Sequence, residues 1–332
     1  MATNLIPAGV TGIGIGIPDK ILCNAELEKM VDTSDEWITS RSGIKERHIA
    51  EQGTNTSDLA VKAAREALAD AGLQPAELDL IIVATATPDY LFPATACVVQ
   101  DKLGAVNAVA FDLGAGCTGQ IYALTVATQF INTGMYRNVM VIGAEVMSRV
   151  MNWEDRTTCV LFGDGASALV LQPVSSGKGV LACGLGTDGS GVSLLYQPAG
   201  GSAMPASAET VEKNLHSLQM VGKEVFKFAV RTIVEVSETV LAKAGLNMDD
   251  VDWFIPHQAN TRIIDAAAKR LELPMEKVVI NVDRYGNTSA ASIGIALAEI
   301  IREGKVKDGD ILLLVGFGAG LTYGGILLRW GK

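Results

Sequence analysis

The sequence has few of the residues that build metal centres and disulfide frameworks. Its 332 residues include five cysteines and three histidines. The cysteines are widely spaced, at positions 23, 97, 117, 159 and 183, and no histidine lies within helical reach of another. An odd number of distant cysteines argues against a disulfide framework or a zinc cluster. We therefore expect reduced thiols, a cytoplasmic protein and no metal site.

Basic charge and long apolar runs are also scarce. The 27 lysine and arginine residues are outnumbered by 37 aspartate and glutamate residues, which gives a formal net charge of −10. Because nucleic-acid binding in general needs a basic face that neutralises phosphates, we expect no nucleic-acid partner. No apolar run reaches the ~18 residues of a membrane span, and the amino terminus lacks the basic start and cleavage site of a signal peptide. We therefore expect no membrane association.

Apolar residues and glycine, by contrast, are abundant: apolar residues make up 48% of the chain, and 35 residues are glycine. Apolar runs alternate with segments of helical spacing, which predicts an α/β fold with buried strands. We expect helices at 57–73, 119–135 and 226–246, and strands at 78–88, 108–113, 138–144 and 168–174 and in VDWFIPH, KVVINV, DILLLVGF and GILLRW. The segment GIGIGIP at 12–18 lacks the spacing of a nucleotide-binding loop, so we exclude that function for it.

A short internal repeat divides the chain. AGLQPAELD ends at Asp79 and AGLNMDDVD ends at Asp252, an offset of 173 residues, and an apolar strand follows each string. The same order of helix, strand, strand–turn–helix and strand then occurs in both parts. This order predicts two similarly folded halves, 1–174 and 175–332, related by a pseudo-two-fold axis.

The duplication predicts that three distant residues meet. Cys117 and Asn287 occupy equivalent glycine-containing turns, and His257 is the second-half equivalent of Ala84, at the end of the corresponding apolar strand. Equivalent turns face each other across a pseudo-two-fold axis. We therefore expect Cys117, His257 and Asn287 to lie near the interface of the halves.

Each of these residues has a structural interpretation as well as a catalytic one. The start of a helix after FDLGAGC would lower the pKa of the Cys117 thiol, although most free cysteines are buried small hydrophobes. Taken alone, His257 is more often a structural histidine and Asn287 a helix cap. Together, a thiolate, an imidazole and an amide form a nucleophile with two hydrogen-bond donors.

A family resemblance covers the chain from about Thr11 to Trp330. It rests on VDTSDEWITSRSGIKERHIA, FPATACVVQ, the Cys117 turn, WEDRTTCVLFGDGASA, GKEVFKFAV, IPHQANTRII, YGNTSAASI and GFGAGLTYGG, in this order. With these motifs the sequence resembles the β-ketoacyl-acyl-carrier-protein synthase III family, the condensing enzymes that start bacterial type II fatty acid synthesis. The resemblance implies a thiolase-like fold in which two pseudo-symmetric halves rich in βαβ units form layers in the order α/β/α/β/α.

The resemblance also implies a reaction. Cys117 would accept the acyl group of an acyl-CoA, and malonyl-acyl-carrier protein would then lose CO2 and attack the acyl-cysteine, giving a 3-oxoacyl-carrier protein. His257 and Asn287 would donate hydrogen bonds to the malonyl thioester, and the backbone N–H groups of Cys117 and Ala319 would form an oxyanion hole. Acyl-CoA is a substrate, so no cofactor is expected. Two alternatives remain: an acyltransferase of a secondary pathway, and a non-catalytic module that binds acyl-CoA or carrier protein.

Further positions match family contacts to substrates and partners. For CoA they are Thr33, Trp37, Arg41, Arg156, Gly222 and Asn260; for the acyl pocket and the contact within a homodimer, Phe92, Phe226 and Phe317; for docking of the acidic carrier protein, Lys227, Arg262, Lys269 and Arg270. Gln120 stands where the family commonly has an aromatic residue, and Ala319 where it usually has glycine. We expect these two departures to alter the shape of the acyl pocket.

Overall fold

Two β-sheets with equivalent strand orders form the frame of the protein. The computed structural model describes residues 5–331; residues 1–4 and Lys332, the outer ends of the two predicted halves, lie outside the described residues. The strands of the first sheet are β1 (Ala8–Gly16), β4 (Leu80–Ala84), β5 (Val109–Leu113), β6 (Val139–Glu145) and β7 (Gly165–Pro173), and those of the second are β8 (Gly179–Thr187), β11 (Trp253–Pro256), β12 (Ile311–Gly318) and β13 (Thr322–Arg329). The orders are β1-β7-β6-β4-β5 and β8-β13-β12-β11.

Helices form three layers around the two sheets. The helices are α1 (Asn24–Leu27), α2 (Asp35–Ser42), α3 (Thr56–Ala71), α4 (Thr95–Leu103), α5 (Gly119–Asn132), α6 (Ala208–Glu212), α7 (Gly222–Ala244), α8 (Thr261–Arg270), α9 (Val282–Tyr285) and α10 (Ser292–Arg302). Helices α5 and α10 lie between the sheets, α3 and α4 cover the outer face of the first, and α7 and α8 cover that of the second. Two small ribbons pair β2 (Ile21–Cys23) with β3 (Glu46–His48) and β9 (Leu195–Tyr196) with β10 (Gln219–Met220).

Strand β4 shows why the central strands are apolar without interruption. Its side chains alternate between the two faces of the sheet. Leu80 and Ile82 pack into the layer of α5 and α10, whereas Ile81 and Val83 pack against α3 and α4. All four are fully buried because helices cover both faces.

The glycine-rich segment at 12–18 belongs to strand β1, which lies directly against α3. A Cβ atom at Gly12, Gly14 or Gly16 would come within 2.3, 2.2 or 2.1 Å of a carbonyl oxygen of α3. Any larger residue would push the helix off the sheet. These glycines therefore serve close packing of a helix on a strand, and the segment is not a nucleotide-binding loop.

Residues that are 173 positions apart in the repeat occupy equivalent places in the two sheets and their helices. Helices α3 and α7 both end at a glycine with a left-handed conformation, Gly72 and Gly245. Strands β4 and β11 begin at Leu80 and Trp253, and each pairs in parallel with a neighbour. Sheet order and element boundaries thus repeat, as the sequence predicts.

One predicted strand is absent. KVVINV at 277–282 forms only an isolated bridge between Val278 and Phe254. The side chain of Gln258 takes the hydrogen bonds that a neighbouring strand would otherwise make with this segment. Its Nε2 donates to the carbonyl of Val279 at 3.0 Å, and its Oε1 accepts from the N–H of Asn281 at 3.0 Å. The backbone then turns into α9, which carries the chain to the Asn287 turn.

The predicted boundary between residues 174 and 175 falls in the connection between β7 and β8 and stays a prediction. Within residues 5–331, no helix combines the length and apolar character needed to cross a membrane. The same residues contain no cluster of three or more side chains suited to hold a metal ion.

Candidate active site

A cavity of about 140 Å³ between the two halves brings together the three residues that the duplication predicts to meet. Cys117, His257 and Asn287 all line it, and so does Phe317. Cys117 comes from the turn between β5 and α5, His257 follows β11, and Asn287 lies between α9 and α10. The equivalent turns of the halves therefore form one site.

The Cys117 turn is held against the end of β12. Gly116 has a φ of +51°, and a Cβ on it would approach the backbone nitrogen of Ala319 to 3.0 Å. A Cβ on Gly318 would approach the backbone nitrogen of Cys117 to 2.6 Å. Within residues 5–331 the Ala319 N–H donates to no acceptor, and the Cys117 N–H contacts only the sulfur of its own residue. Two backbone donors without a partner from another residue therefore lie at the Cys117 turn.

Burial dominates the electrostatics of Cys117. It raises the pKa of the thiol to about 11; a hydrogen bond with Ser289 lowers the pKa and the charge of Glu145 raises it. The sequence predicts a lowered pKa of the Cys117 thiol from the helix start, and this expectation is wrong. The free energy of removing the thiolate from water outweighs the helix dipole.

His257 is a neutral imidazole with an assigned orientation. Burial lowers its pKa to about 3. Its Nδ1 lies 2.6 Å from the Ser292 hydroxyl, which accepts from the backbone N–H of Gln258 at 3.3 Å. Within residues 5–331 no other acceptor lies within hydrogen-bond distance of this hydroxyl, so its proton is directed at Nδ1. This arrangement assigns the imidazole proton to Nε2, while the ring packs edge-on against Phe317 with 5.1 Å between centroids.

Asn287 is oriented by its own turn. Its backbone N–H donates to Leu161 at 2.8 Å, and its carbonyl accepts from Gly163 at 3.0 Å. The side-chain Oδ1 accepts from the N–H of Ser289 at 2.8 Å. The Nδ2 group has no hydrogen-bond partner within residues 5–331 and is a free donor at the cavity.

Gln120 lies behind the cavity rather than in its wall. Its Nε2 donates to the Ser167 hydroxyl at 2.9 Å, and its Oε1 accepts from the N–H of Gly294 in the first turn of α10 at 3.0 Å. That N–H is one of the donors a helix start leaves unpaired. Gln120 is absent from the cavity lining and links the helix after Cys117 to the helix after Asn287; its effect on the acyl pocket stays a prediction. Ala319 is also absent from the lining.

The residues matched to CoA contacts fall into two groups. At the surface, the Arg156 guanidinium lies 5.3 Å over the ring of Trp37, and Arg156 also bonds to Asp32, the neighbour of Thr33. The Thr33 hydroxyl is buried without a hydrogen-bond partner.

The second group lies at the cavity. Gly222 and Asn260 line it, and Asn260 donates to the carbonyl of Arg41 at 3.0 Å. This contact joins the cavity to α2, the helix that also carries Trp37.

The three phenylalanines separate. Phe226 and Phe317 line the cavity, whereas Phe92 is 85% exposed, beside Leu91 at 82%. Of the four basic residues, Arg262 lies over the Phe226 ring at 6.0 Å and Lys227 pairs with Glu224 at 2.9 Å. Lys269 and Arg270 end helix α8.

The sequence interpretation missed Ser289, Ser292 and Glu145. The two serines lie within the quoted motif YGNTSAASI, but a cap and a positioning residue have the same signature in sequence. Glu145 is a carboxylate at the end of an otherwise apolar, fully buried strand. A charged residue at the end of an apolar run is rarely buried without a role, so this pattern could have marked Glu145 from the sequence alone.

Comparison with known proteins agrees with this fold. The family models for 3-oxoacyl-[acyl-carrier-protein] synthase III and for its C-terminal part match residues 111–189 and 241–330. The β-ketoacyl-[acyl-carrier-protein] synthase III of Caldanaerobacter subterraneus subsp. tengcongensis is 61% identical over 98% of this chain and 99% of its own. The crystal structure of 3-oxoacyl-[acyl-carrier-protein] synthase III from Aquifex aeolicus VF5 has a TM-score of 0.91 and 50% identity, covering 97% of this chain and 100% of that one. A priming β-ketosynthase of the R1128 polyketide pathway has a TM-score of 0.92 and 38% identity, covering 100% and 98%.

The layered fold and the comparisons define a thiolase-fold condensing enzyme, which is an acyltransferase. The chain belongs to the 3-oxoacyl-[acyl-carrier-protein] synthase III family. The resemblance found in the sequence is thereby confirmed, and its main functional interpretation, the initiating condensing enzyme of fatty acid synthesis, is favoured over the secondary-pathway and binding-module alternatives.

Proposed function

We propose that this enzyme joins an acyl group from acyl-CoA to malonyl-acyl-carrier protein, with loss of CO2, through Cys117, His257 and Asn287. The product is a 3-oxoacyl-carrier protein. The observation that carries the proposal is the convergence of a thiol, an Nε2–H donor and an Nδ2 donor on one cavity of about 140 Å³. No cofactor is required, because the acyl-CoA supplies an activated thioester.

In the first half-reaction the Cys117 thiolate attacks the acyl-CoA carbonyl. The carbonyl oxygen gains negative charge, and the N–H groups of Cys117 and Ala319, which lie against each other's turn, are available to donate to it. Removing one such donor from an oxyanion hole costs about 3 kcal/mol in typical enzymes. CoA leaves as its thiol, and the acyl group remains on Cys117.

In the second half-reaction malonyl-carrier protein loses CO2 and an enolate forms on its thioester oxygen. His257 and Asn287 donate hydrogen bonds to that oxygen from Nε2 and Nδ2. Burial keeps the pKa of His257 at about 3, so the imidazole is neutral and its donor is present at physiological pH. The enolate carbon attacks the acyl-Cys117 carbonyl, and the thiolate leaves.

Binding of CoA requires a local rearrangement at Trp37. An adenine ring between Trp37 and Arg156 needs about 7 Å, twice the van der Waals spacing, whereas the guanidinium now lies 5.3 Å from the ring centroid. Arg156 therefore leaves Asp32 and moves outward when the nucleotide enters, and the cation–π contact is exchanged for contact with adenine. The unpaired Thr33 hydroxyl offers a further donor.

The enzyme acts as a homodimer in this proposal. Strand β5 is an edge of the first sheet, and its Val109 is exposed. Tyr90, Leu91 and Phe92 form an exposed apolar segment in the same half. An unpaired edge and an apolar segment on one molecule are suited to pairing with a second copy, whose Phe92 would complete the acyl pocket.

Carrier protein docks on basic residues of α7 and α8, the helices whose first turns contribute to the cavity wall. Arg262 covers Phe226, which itself lines the cavity, and Lys227 is the next residue of α7. Lys269 and Arg270 extend positive charge along α8. Complementarity with an acidic partner would raise the association rate and make it salt-sensitive. A cytoplasmic location is also part of the proposal, supported by five free thiols within the described residues.

Intact-protein mass spectrometry tests this function. The enzyme is incubated separately with acetyl-, isobutyryl- and octanoyl-CoA, then with malonyl-carrier protein. We expect an acyl adduct on Cys117 that disappears when malonyl-carrier protein arrives, and the size of the adduct identifies the starter. No adduct with any acyl-CoA, or full condensation by C117A, would overturn the mechanism.

A further inference from the structure

The site described so far lacks an acceptor for the Cys117 proton. Attack on a thioester requires the thiolate, yet His257 already carries its proton on Nε2 and receives the Ser292 proton at Nδ1. An imidazole with both nitrogens engaged in this way has no lone pair for the thiol proton. Another group must take it during acylation.

Glu145 is a buried carboxylate adjoining the same turn. It is fully buried at the end of β6 and accepts from the Thr87 hydroxyl at 2.6 Å, the Thr85 hydroxyl at 3.2 Å and the N–H of Ala86 at 3.1 Å. The Ser289 hydroxyl donates to it at 3.0 Å. All four donors are neutral, and no Lys, Arg or His side chain bonds to this carboxylate within residues 5–331.

Ser289 connects the carboxylate to the nucleophile. The Ser289 turn packs against the Cys117 turn, where Ser289 lowers the pKa of the thiol, and the Ser289 hydroxyl donates to Glu145 at 3.0 Å. The φ of Ser289 is +49°, a conformation that is unfavourable for a residue with a side chain. A strained serine between a reactive thiol and a buried carboxylate indicates that the position of its hydroxyl is functional.

We propose that Ser289 and Glu145 form a proton relay for Cys117, which deepens the proposed function and rests on it. As the thiolate forms, the Cys117 S–H bond breaks, its proton passes to Ser289 Oγ, and the serine's own proton passes to Glu145. Ser289 then donates to the thiolate, and protonated Glu145 donates to Ser289. CoA takes its proton from water as it leaves. When the enolate displaces Cys117 in the second half-reaction, the proton returns from Glu145 by the reverse path.

The environment of Glu145 agrees with this role. Burial raises its pKa, which brings its proton affinity closer to that of the thiol. Across Ser289, the titratable group that faces Glu145 is Cys117, from the turn before α5. The other partners of Glu145 come from the segment after β4 and are threonine hydroxyls and a backbone N–H. Proton exchange within the pair leaves its total charge unchanged, and no charge has to leave the buried site.

The relay predicts an unusual pH dependence, which can be measured without substrate. The rate at which iodoacetamide alkylates Cys117 follows the thiolate fraction. The relay makes the thiolate beside protonated Glu145 the reactive species, and the fraction of this species is independent of pH as long as the pair holds one proton. We expect the wild-type rate to change less than about threefold between pH 7.0 and 8.5. Without the relay it rises about tenfold per pH unit, or about 30-fold over the interval.

Two variants remove the relay at different points. E145Q keeps the size of the side chain and one accepting oxygen but cannot take a proton. S289G removes the hydroxyl and also relieves the positive φ, so it remains informative if E145Q does not fold. In both variants we expect the steep rise, and we expect the acylation rate with acetyl-CoA to become equally steep.

Asp164 provides a matched control. Its buried carboxylate also accepts from neutral donors, the N–H of Ala50 and the N–H and hydroxyl of Ser148, and burial likewise raises its pKa. D164N should leave the alkylation profile flat, and glutathione in the same tube gives the steep reference. A wild-type profile as steep as glutathione, or flat profiles in E145Q and S289G, would overturn the relay. Because alkylation needs no acyl-CoA, failure of the relay is distinguishable from failure of the condensation.

Discussion

Replacing Ser292 by alanine tests how the buried imidazole of His257 is held. The serine hydroxyl lies 2.6 Å from Nδ1, and no other group bonds to that nitrogen within residues 5–331. In S292A, Nδ1 loses its donor and the backbone N–H of Gln258 loses its acceptor. Neutral imidazole can then carry its proton on Nδ1, where it cannot serve the enolate.

The size of the effect follows from the role of the donor. Complete loss of one preorganised donor to a developing oxyanion costs about 10²- to 10³-fold in rate. S292A retains the imidazole and leaves part of the population in the productive form. We therefore expect decarboxylation to slow by about 10- to 100-fold, or about 1.4 to 2.7 kcal/mol.

The assay separates the two half-reactions. Formation of acetyl-Cys117 is followed by its mass shift, and release of labelled CO2 from malonyl-carrier protein is followed on the preformed acyl-enzyme. We expect acylation to stay within about threefold of wild type, because the attack on acyl-CoA uses backbone donors. The loss should appear in decarboxylation alone.

Ser237 supplies the matched control. It is fully buried, and its hydroxyl donates only to the carbonyl of Ile233 in its own helix, at 2.7 Å. S237A removes a buried hydroxyl without touching the cavity and should leave both half-reactions unchanged. Decarboxylation by S292A at the wild-type rate would refute the assignment of the tautomer. Equal slowing of both steps would show a general distortion instead.

Three further predictions concern stability and substrate binding. Q120L leaves the N–H of Gly294 unpaired in the core, so we expect the free energy of unfolding, measured in urea, to fall by about 1–3 kcal/mol, while the cavity still accepts the same starter. An unchanged urea midpoint would contradict the proposed link between the helices. W37A removes the stacking surface for adenine and should raise KM for acyl-CoA about 2- to 30-fold with kcat nearly unchanged, whereas a fall in kcat alone would place Trp37 outside the CoA site. Because burial lowers the pKa of His257 from 6.5 to about 3, the unfolded chain binds a proton between these values that the folded chain does not. Stability should therefore fall by up to about 1.4 kcal/mol per unit as the pH drops below 6.5, and urea midpoints at pH 7, 6 and 5 should fall less steeply in H257Q.

Several features of the fold could be predicted from the sequence because their cause is local. Uninterrupted apolar runs predict buried strands, and β4, β6 and β12 lie where those runs are and are buried throughout, whereas β5, also expected to be buried, is a half-exposed edge strand. The repeated AGL string predicts equivalent helix ends, and Gly72 and Gly245 both adopt the left-handed conformation. A glycine at a helix end acts through its own backbone, so its position in the sequence suffices.

Other features depend on contacts that sequence spacing does not contain. KVVINV has the composition of a strand, but the side chain of Gln258 bonds to the backbone groups that a neighbouring strand would use. Gln120 occupies a position expected to shape the pocket, yet its partners lie on β7 and α10. In each case a hydrogen bond between distant residues decides the outcome.

The sequence by itself determined the family, the layered fold and which residues are available for chemistry. It predicted that Cys117, His257 and Asn287 meet, because a duplicated chain brings equivalent turns together. Only the tertiary structure decided the protonation of these groups. Burial raises the pKa of the thiol and lowers that of the imidazole, and the hydrogen bond from Ser289 to Glu145 joins residues 144 positions apart. Removal from water and hydrogen bonds between distant segments exist only in the folded chain, so no local pattern in the sequence encodes where the protons reside.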